Sequence, residues 1–245
     1  MINWRKPLIE CGLGLTGNPS IKYLDEIRKS SHMDKDKLQA VQDKLLEKLI
    51  LHAYHKVPYY YDVFDYFGLV KNGKVYPDKF TDIPPLTKEI IRKNFDDLKS
   101  SDMNKRKWYY NASGGSTGKP LRFIQDKDYN DWNNAVKLFY MEMAGKEAGE
   151  KELKLWGSER DILEGTIGFS AKLVNFMYNR KLLNSFRMTK KDMFGYVSAW
   201  NKFKPKVVWT YVDSIYEFAR FADENKIALY SPQSIVVTAG TLDED

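Results

Sequence analysis

Asn111-Ala112-Ser113-Gly114-Gly115-Ser116-Thr117-Gly118-Lys119-Pro120 is the stretch from which the rest of the chain can be read. Its glycines permit positive φ and let backbone N–H groups approach an anion with no side chain in the way. Ser113, Ser116 and Thr117 add hydroxyl donors, and Lys119 adds a mobile positive charge. Many donors and one cation on a loop of small residues is the chemistry that a polyphosphate requires. A plain glycine-rich hairpin between two strands is the competing reading, and the order of Gly, Ser, Thr, Lys and Pro makes it the weaker one. Residues 108–111 and 121–125 flank the loop and read as strands. The Walker A loop of kinases and ATPases does not match. Ser113 stands where its first glycine should be, and Pro120 follows Lys119 in place of a magnesium-binding hydroxyl. The segment after Pro120 alternates like a strand, so no helix N-terminus is aimed at a phosphate there.

Downstream of the loop, Tyr129, Trp132, Val136, Phe139 and Met143 recur at helical spacing, and Gly145 is positioned to end that helix in a left-handed conformation. Strands expected at 153–156, 183–187, 207–212 and 235–238 then alternate with helices expected at 169–180, at 190–203 and after a capping box at Ser214 and Glu217. That rhythm predicts an α/β fold with a largely parallel sheet flanked by helices. Open parallel sheets bind ligands beyond the carboxyl ends of their strands. Trp156-Gly157-Ser158, Arg187-Met188, Tyr211-Val212-Asp213 and Ala239-Gly240-Thr241 therefore outline the expected crevice.

Upstream, Leu38, Val41, Leu45, Leu49 and Ala53 define a helix over 36–56 whose apolar stripe should pack on a neighbour. Val57-Pro58 ends it, because the residue before proline is pushed out of the helical region. An aromatic run follows at 59–67, then Thr87 caps a short helix with Glu89 in its first turn. The expected organisation is a helical, loop-rich region over 1–105 and a region of phosphate-loop hairpin and α/β sheet over 106–245.

Composition sets the class. A chain of 245 residues with 43% hydrophobic, 29% charged and 14% aromatic residues has the make-up of a globular protein rather than a disordered one. The net charge of +6 favours anionic partners, but Lys and Arg are interspersed with Asp and Glu rather than gathered in a basic block. The only cysteine, Cys11, cannot form an internal disulfide, and no Cys/His cluster has the spacing of a zinc site. No apolar stretch is long enough for a membrane span. These features lead us to expect a cytoplasmic protein.

The segment SGGSTGKP at 113–120 resembles the phosphate-binding motif of adenylate-forming enzymes. The variant is that of the family of phenylacetate-CoA ligase, coenzyme F390 synthetase and CapK, in which lysine precedes the proline as Lys119 precedes Pro120 here. Tyr54 with Val57-Pro58-Tyr59-Tyr60 resembles that family's "A..NVPFY" stretch, and Pro85-Leu86-Thr87-Lys88 resembles its "LP.LTK" stretch. Tyr211 with Ser214 resembles its "GY.S" segment, and Thr238-Ala239-Gly240-Thr241-Leu242 resembles the strand-end segment that contacts adenine. The resemblance runs from about residue 45 onward; the loop is its specific part.

What the resemblance implies is the ATP-binding front part of an acid–thiol ligase. In that chemistry a carboxylate attacks the α-phosphate of ATP, giving an acyl-adenylate and pyrophosphate, and a thiol, usually coenzyme A, then takes the acyl group. ATP, Mg2+ and coenzyme A are the implied cofactors and co-substrate, and a small carboxylic acid is the implied substrate. Ser113, Gly114, Gly115, Ser116, Thr117, Gly118 and Lys119 would hold the phosphates. Ala239, Gly240 and Thr241 would border the adenine, with Thr241 standing where relatives often carry an acidic residue or a second glycine. No catalytic or metal-binding residue is assigned. The family's later segments, for magnesium, the ribose hydroxyls and a C-terminal lid, have no counterpart in these residues. The expectation is therefore a truncated product, a cut piece, or one part of a split ligase whose second chain carries the remainder. The alternative is a nucleotide-binding or partner-binding scaffold that performs no chemistry.

Other residues carry blander readings. His52 and His55 are three apart on one helix without a third ligand nearby in sequence, which favours a surface or packing role over a metal site. Trp156 reads either as the lining of an acyl pocket or as a core tryptophan. Asp213 and Ser214 read as helix caps, Arg187 as a solvated arginine, and the aromatic run at 59–67 as packing, since it lacks the interleaved basic residues of a nucleic-acid surface.

Overall fold

A computed structural model describes residues 2–113, 120–157, 169–186 and 188–241. In chain order the described elements are α1 (Arg5–Leu15), α2 (Ser20–Ser31), α3 (Lys35–Lys56), α4 (Pro58–Tyr66), β1 (Val70–Lys71), β2 (Lys74–Val75) and α5 (Lys88–Lys93). There follow β3 (Trp108–Ala112), β4 (Arg122–Asp126), α6 (Lys127–Met143), β5 (Glu152–Leu155), α7 (Phe169–Met177) and β6 (Arg180–Leu183). The last are α8 (Lys190–Phe203), β7 (Val207–Tyr211), α9 (Val212–Glu224) and β8 (Ser234–Thr238). They form two compact units, Asp25–Asn133 and the combination of Met1–Leu24 with Asn134–Asp245. No helix among the described residues is long and apolar enough to cross a membrane.

In the unit Asp25–Asn133, Asp34 caps α3 by accepting the Lys37 amide, and the extended Val57 ends it. Pro58 then sits in the first turn of α4, where its missing N–H costs nothing. The aromatic run is thus a helix, and the chain reversal brings it against Ile50 of α3. Ile50, Phe64, Leu69 and Val70 form a small core, with Tyr54 and Tyr60 packed on it. The expected stripe packs only at its end: Ala53 lies on this core, but Leu45 and Leu49 are 59% and 63% exposed, because α4 returns on the Ile50 side of the helix. A hairpin that the sequence reading missed joins β1 to β2 through Asn72-Gly73, both at positive φ (51° and 71°). Asn-Gly between strands is the pattern that such a two-residue turn demands.

The expected strands around the phosphate loop are present as β3 and β4. They pair antiparallel from Trp108 opposite Asp126 to Ala112 opposite Arg122. The Arg122 guanidinium lies 3.9 Å from the Tyr110 ring centroid, and Asn111 Nδ2 donates to Gln125 Oε1 at 2.7 Å. Both contacts tie one strand to the other near the loop end.

The other unit holds the predicted sheet, four parallel strands in the order β6-β5-β7-β8. Alternation along the strands separates two faces. Leu153, Leu155, Val208 and Leu183 join Val197 and Trp200 of α8 and Phe218 and Phe221 of α9 in the apolar core. The opposite face carries Glu152, Lys154, Trp156, Trp209 and Tyr211. Thr189 opens α8 with a reciprocal capping box to Asp192. The box expected at Ser214 does not form, because α9 starts at Val212 directly off the strand and Glu217 pairs with Arg220 at 2.6 Å instead. The second strand of the sheet in chain order, β6, is also earlier than expected, at Arg180–Leu183 rather than 183–187: α7 ends at Met177 and the left-handed Asn179 turns the chain into the sheet.

Gly145 does end α6 as predicted, at φ 81°. Its amide bonds to the Glu142 carbonyl, and the Lys146 amide reaches back to Met141, closing a Schellman turn. That turn delivers Lys146 to the buried Glu152 carboxylate at 3.0 Å, where Arg180 Nε (2.8 Å) and Lys154 Nζ (3.7 Å) also meet it. Burial pushes the Glu152 carboxyl up, but Lys146, Arg180 and Lys154 more than offset it and hold it below its ordinary value. A carboxyl lowered in the folded state contributes stability above its unfolded pKa, and that contribution disappears as pH falls through the folded one. Glu152→Gln should therefore cost about 3–5 kcal/mol at pH 7 by leaving Lys146 buried without a partner. Denaturant titrations should show the gap between the two proteins closing below about pH 4.

Candidate functional site

The order β6-β5-β7-β8 means that the chain leaves β5 toward one side of the sheet for β6 and returns to the other side for β7. Connections from the carboxyl ends of β5 and β7 thus diverge, which opens a crevice between them. Trp156, just past β5, lies in that position. It stacks on Tyr211 at the end of β7, with ring centroids 4.1 Å apart and planes 26° apart, and meets Trp209 edge-on at 6.3 Å. Trp156 is half-buried and packs on both of these rings.

Gly157 follows. A Cβ there would lie 2.6 Å from Asn184 Oδ1. Asn184, at the carboxyl end of β6, cannot easily move away: its side chain accepts the Phe186 amide at 2.8 Å and its carbonyl accepts the Tyr196 hydroxyl at 2.6 Å. Burial, and then the Asp192 charge, raise the Tyr196 pKa, which keeps that hydroxyl a donor. Ser158 and Arg187, also expected at this end of the sheet, lie outside the described residues. With β6 ending at Leu183, Asn184 takes the place at this strand end that was expected of Arg187.

At the far strand, Ala239, Gly240 and Thr241 leave β8 exposed to solvent. Ala239 has φ 61°, a left-handed conformation that is strained for a residue with a Cβ. Such strain at a strand end is characteristic of ligand-binding turns. Gly240 packs on Val212 at the start of α9; a Cβ would stand 3.2 Å from Val212 Cβ. These three residues and the Tyr211 stack belong to the unit that holds the sheet.

The phosphate-loop candidates belong to the other unit. Gly114, Gly115, Ser116, Thr117, Gly118 and Lys119 lie outside the described residues. Ser113 is described, and it works at the neck of the loop. Its amide donates to the Leu121 carbonyl at 2.9 Å, and its hydroxyl accepts the Leu121 amide at 3.1 Å. The β3–β4 ladder is thereby extended by one step beyond Ala112.

Among the described residues no group of three potential metal ligands comes together around His52. Its Nε2 lies 3.5 Å from both Ser100 Oγ and Arg106 Nη2, and 3.9 Å from Asp102. Hydroxyl and carboxylate thus gather at one ring nitrogen, and Ser100 donates directly to Asp102. A serine–histidine–acid relay needs the two partners on opposite nitrogens, so this cluster does not provide one.

No family model matches the chain. Protein CapK of Staphylococcus aureus is 26% identical to it over 187 residues, 72% of this chain and 40% of CapK. Phenylacetate-coenzyme A ligase of Escherichia coli (strain K12) is 33% identical over 109 residues, 41% of this chain and 23% of the ligase. The chain thus spans less than half the length of these curated relatives. Its fold is similar to that of 2-hydroxyisobutyryl-CoA ligase in the postadenylation state with 2-HIB-AMP, with a TM-score of 0.55 at 14% identity over 80% of this chain and 41% of that one. An open conformation of the same ligase with 2-HIB-AMP and CoA gives 0.54 at 14% identity, over 80% of this chain and 45% of that one. The architecture is therefore part of an adenylate-forming ligase fold, and the chain is phenylacetate-CoA ligase-like in sequence.

Because Ala239 is held at positive φ, Ala239→Gly should stabilise the fold. Removing about 1–2 kcal/mol of left-handed strain outweighs the roughly 0.4–1 kcal/mol lost to a freer unfolded chain. Chemical denaturation should show a net gain of about 0.5–1 kcal/mol, and a loss would show that the strain is absent.

Proposed function

We propose that this phenylacetate-CoA ligase-like chain supplies the nucleotide-binding part of an ATP-dependent carboxylate-activating enzyme, one that forms an acyl-adenylate and passes the acyl group to coenzyme A. The observation that carries the proposal is the loop SGGSTGKP held between two paired strands, with Ser113 bonded to Leu121 at its neck. Because the chain spans less than half of its relatives, the whole reaction is proposed for a protein that includes this chain.

In this reading the loop does electrostatic and positional work. Amides of the glycine-rich segment, the hydroxyls of Ser116 and Thr117, and the Lys119 ammonium bind the β and γ phosphates and then the departing pyrophosphate. Charge leaving the α-phosphate is thus met by fixed donors, and the carboxylate is held in line with the bond that breaks. Ala239, Gly240 and Thr241 border the adenine, with the positive φ of Ala239 turning the chain at the end of β8. Trp156 and Tyr211 provide an apolar aromatic wall suited to the acyl part of a small carboxylic acid. Magnesium accompanies the nucleotide in such chemistry. Among the described residues no carboxylate or histidine cluster is suited to hold it, so no step is drawn through the metal.

The reading predicts that Lys119→Ala weakens ATP binding by roughly tenfold or more through loss of a charge-assisted contact. Calorimetric titration of ATP measures this directly, and an unchanged affinity removes the loop from the mechanism. Pyrophosphate release with a panel of aryl and fatty acids then separates chemistry from binding. ATP binding with no release by any of them would favour a nucleotide-binding scaffold instead.

A further inference from the structure

On the sheet face opposite the apolar core, below the aromatic stack, lies a cavity of about 310 Å³. Its lining includes Lys137 of α6, Lys146, Lys154 of β5 and Arg180 of β6, and among the described residues Glu152 is the only acidic one in the lining. Four cations against one carboxylate leave a charge excess inside a partly enclosed space. Glu152 is already engaged by three of the four, at 3.0 Å by Lys146, 2.8 Å by Arg180 and 3.7 Å by Lys154. Lys137 stands exposed, while Lys154 has no carboxylate to itself.

Two further observations point the same way. The indole N–H of Trp209, which also lines the cavity, is buried and has no hydrogen-bond partner among the described residues. A buried donor left unmatched in this way calls for an acceptor that the described residues do not supply. Lys154 Nζ lies 4.7 Å from the Trp209 ring centroid, so the donor and the surplus cation are neighbours. Burial, then the charge of Arg180, draw the Lys154 pKa from 10.5 down to about 8, against the pull of Glu152. The network thus disfavours its own last positive charge, and an entering anion would restore it.

We propose that this cavity is a binding site for a phosphate group, taken from solution as the free ion or carried on a small organic molecule, with Lys137, Lys154 and Arg180 as its cationic partners and Trp209 as a neutral donor. A dianion matches the excess of charge better than a monocarboxylate, and a room of about 310 Å³ admits a phosphate together with a short organic stem. These residues all belong to the unit that holds the sheet, and the proposal does not depend on the ligase reading.

The test uses the whole chain carrying Lys119→Ala, which silences the loop, at fixed ionic strength and pH 7. Inorganic phosphate and glycerol phosphate are titrated calorimetrically and by tryptophan fluorescence. One saturable site with a fluorescence change is expected, with the tighter of the two ligands identifying the source of the phosphate. Lys154→Gln and the solvent-exposed Lys137→Ala should each weaken binding by roughly tenfold, with circular dichroism verifying that each variant is folded. Glu152→Gln, if folded, should tighten it by removing the competing carboxylate. Absence of saturable binding overturns the proposal, and so does an affinity that Lys137→Ala and Lys154→Gln leave unchanged.

Discussion

Two hydrogen bonds between Ser113 and Leu121 are the constraint on which the functional account rests. They carry the antiparallel ladder of β3 and β4 one step past Ala112 and Arg122, and so hold together the two ends between which the glycines and hydroxyls of the motif lie in sequence. A loop fixed at its neck loses less freedom on gripping an anion than one with free ends, which is how preorganised sites gain affinity. The Ser113 hydroxyl has a structural task here as an acceptor. Its proton remains available to a ligand, since a hydroxyl can donate and accept at once.

The sheet imposes a second, independent constraint. Parallel strands in the order β6-β5-β7-β8 force the connections after β5 and β7 apart, and the gap is walled by the Trp156–Tyr211 stack. Small residues occur where backbones and side chains crowd that end: Gly157 against Asn184, Gly240 against Val212. On the same face, two to four residues nearer the amino end of β5, the aromatic wall gives way to the Glu152 charge network. A single strand, β5, thus carries alternating duties, with Leu153 and Leu155 in the core and Glu152, Lys154 and Trp156 on the working face. Such a division follows from the two-residue period of a strand.

Much of this was legible in the sequence because the signals were local. The α/β alternation, the hairpin around the loop, α8 over Lys190–Phe203 and the left-handed Gly145 each follow from periodicity or turn chemistry. The failures came where tertiary contacts decide. The apolar stripe of α3 was read as a buried face, yet the reversal at Val57-Pro58 brings α4 against Ile50 and leaves Leu45 and Leu49 in solvent. Ser214 and Glu217 have the spacing of a capping box, but β7 runs straight into α9 at Val212 and leaves no room for a cap. Asn72-Gly73 has the pattern of a hairpin turn, but its strands have only two residues each, too few to show an alternation. The candidate nucleotide residues at 239–241 were legible from their resemblance alone; the strain at Ala239 was not, since only a determined φ reveals it. The Glu152 network was hidden for another reason: its members come from the turn after α6, from β5 and from β6, and meet only in the fold.

The central claim is that the segment after Ser113 binds the phosphates of a nucleotide. Amide chemical shifts of the labelled chain, followed while ATP is titrated, test it most directly. The account predicts that the N–H resonances of Gly114, Gly115 and Gly118 move together and saturate with one affinity. Saturating ATP that leaves those three resonances in place while shifting others would contradict it.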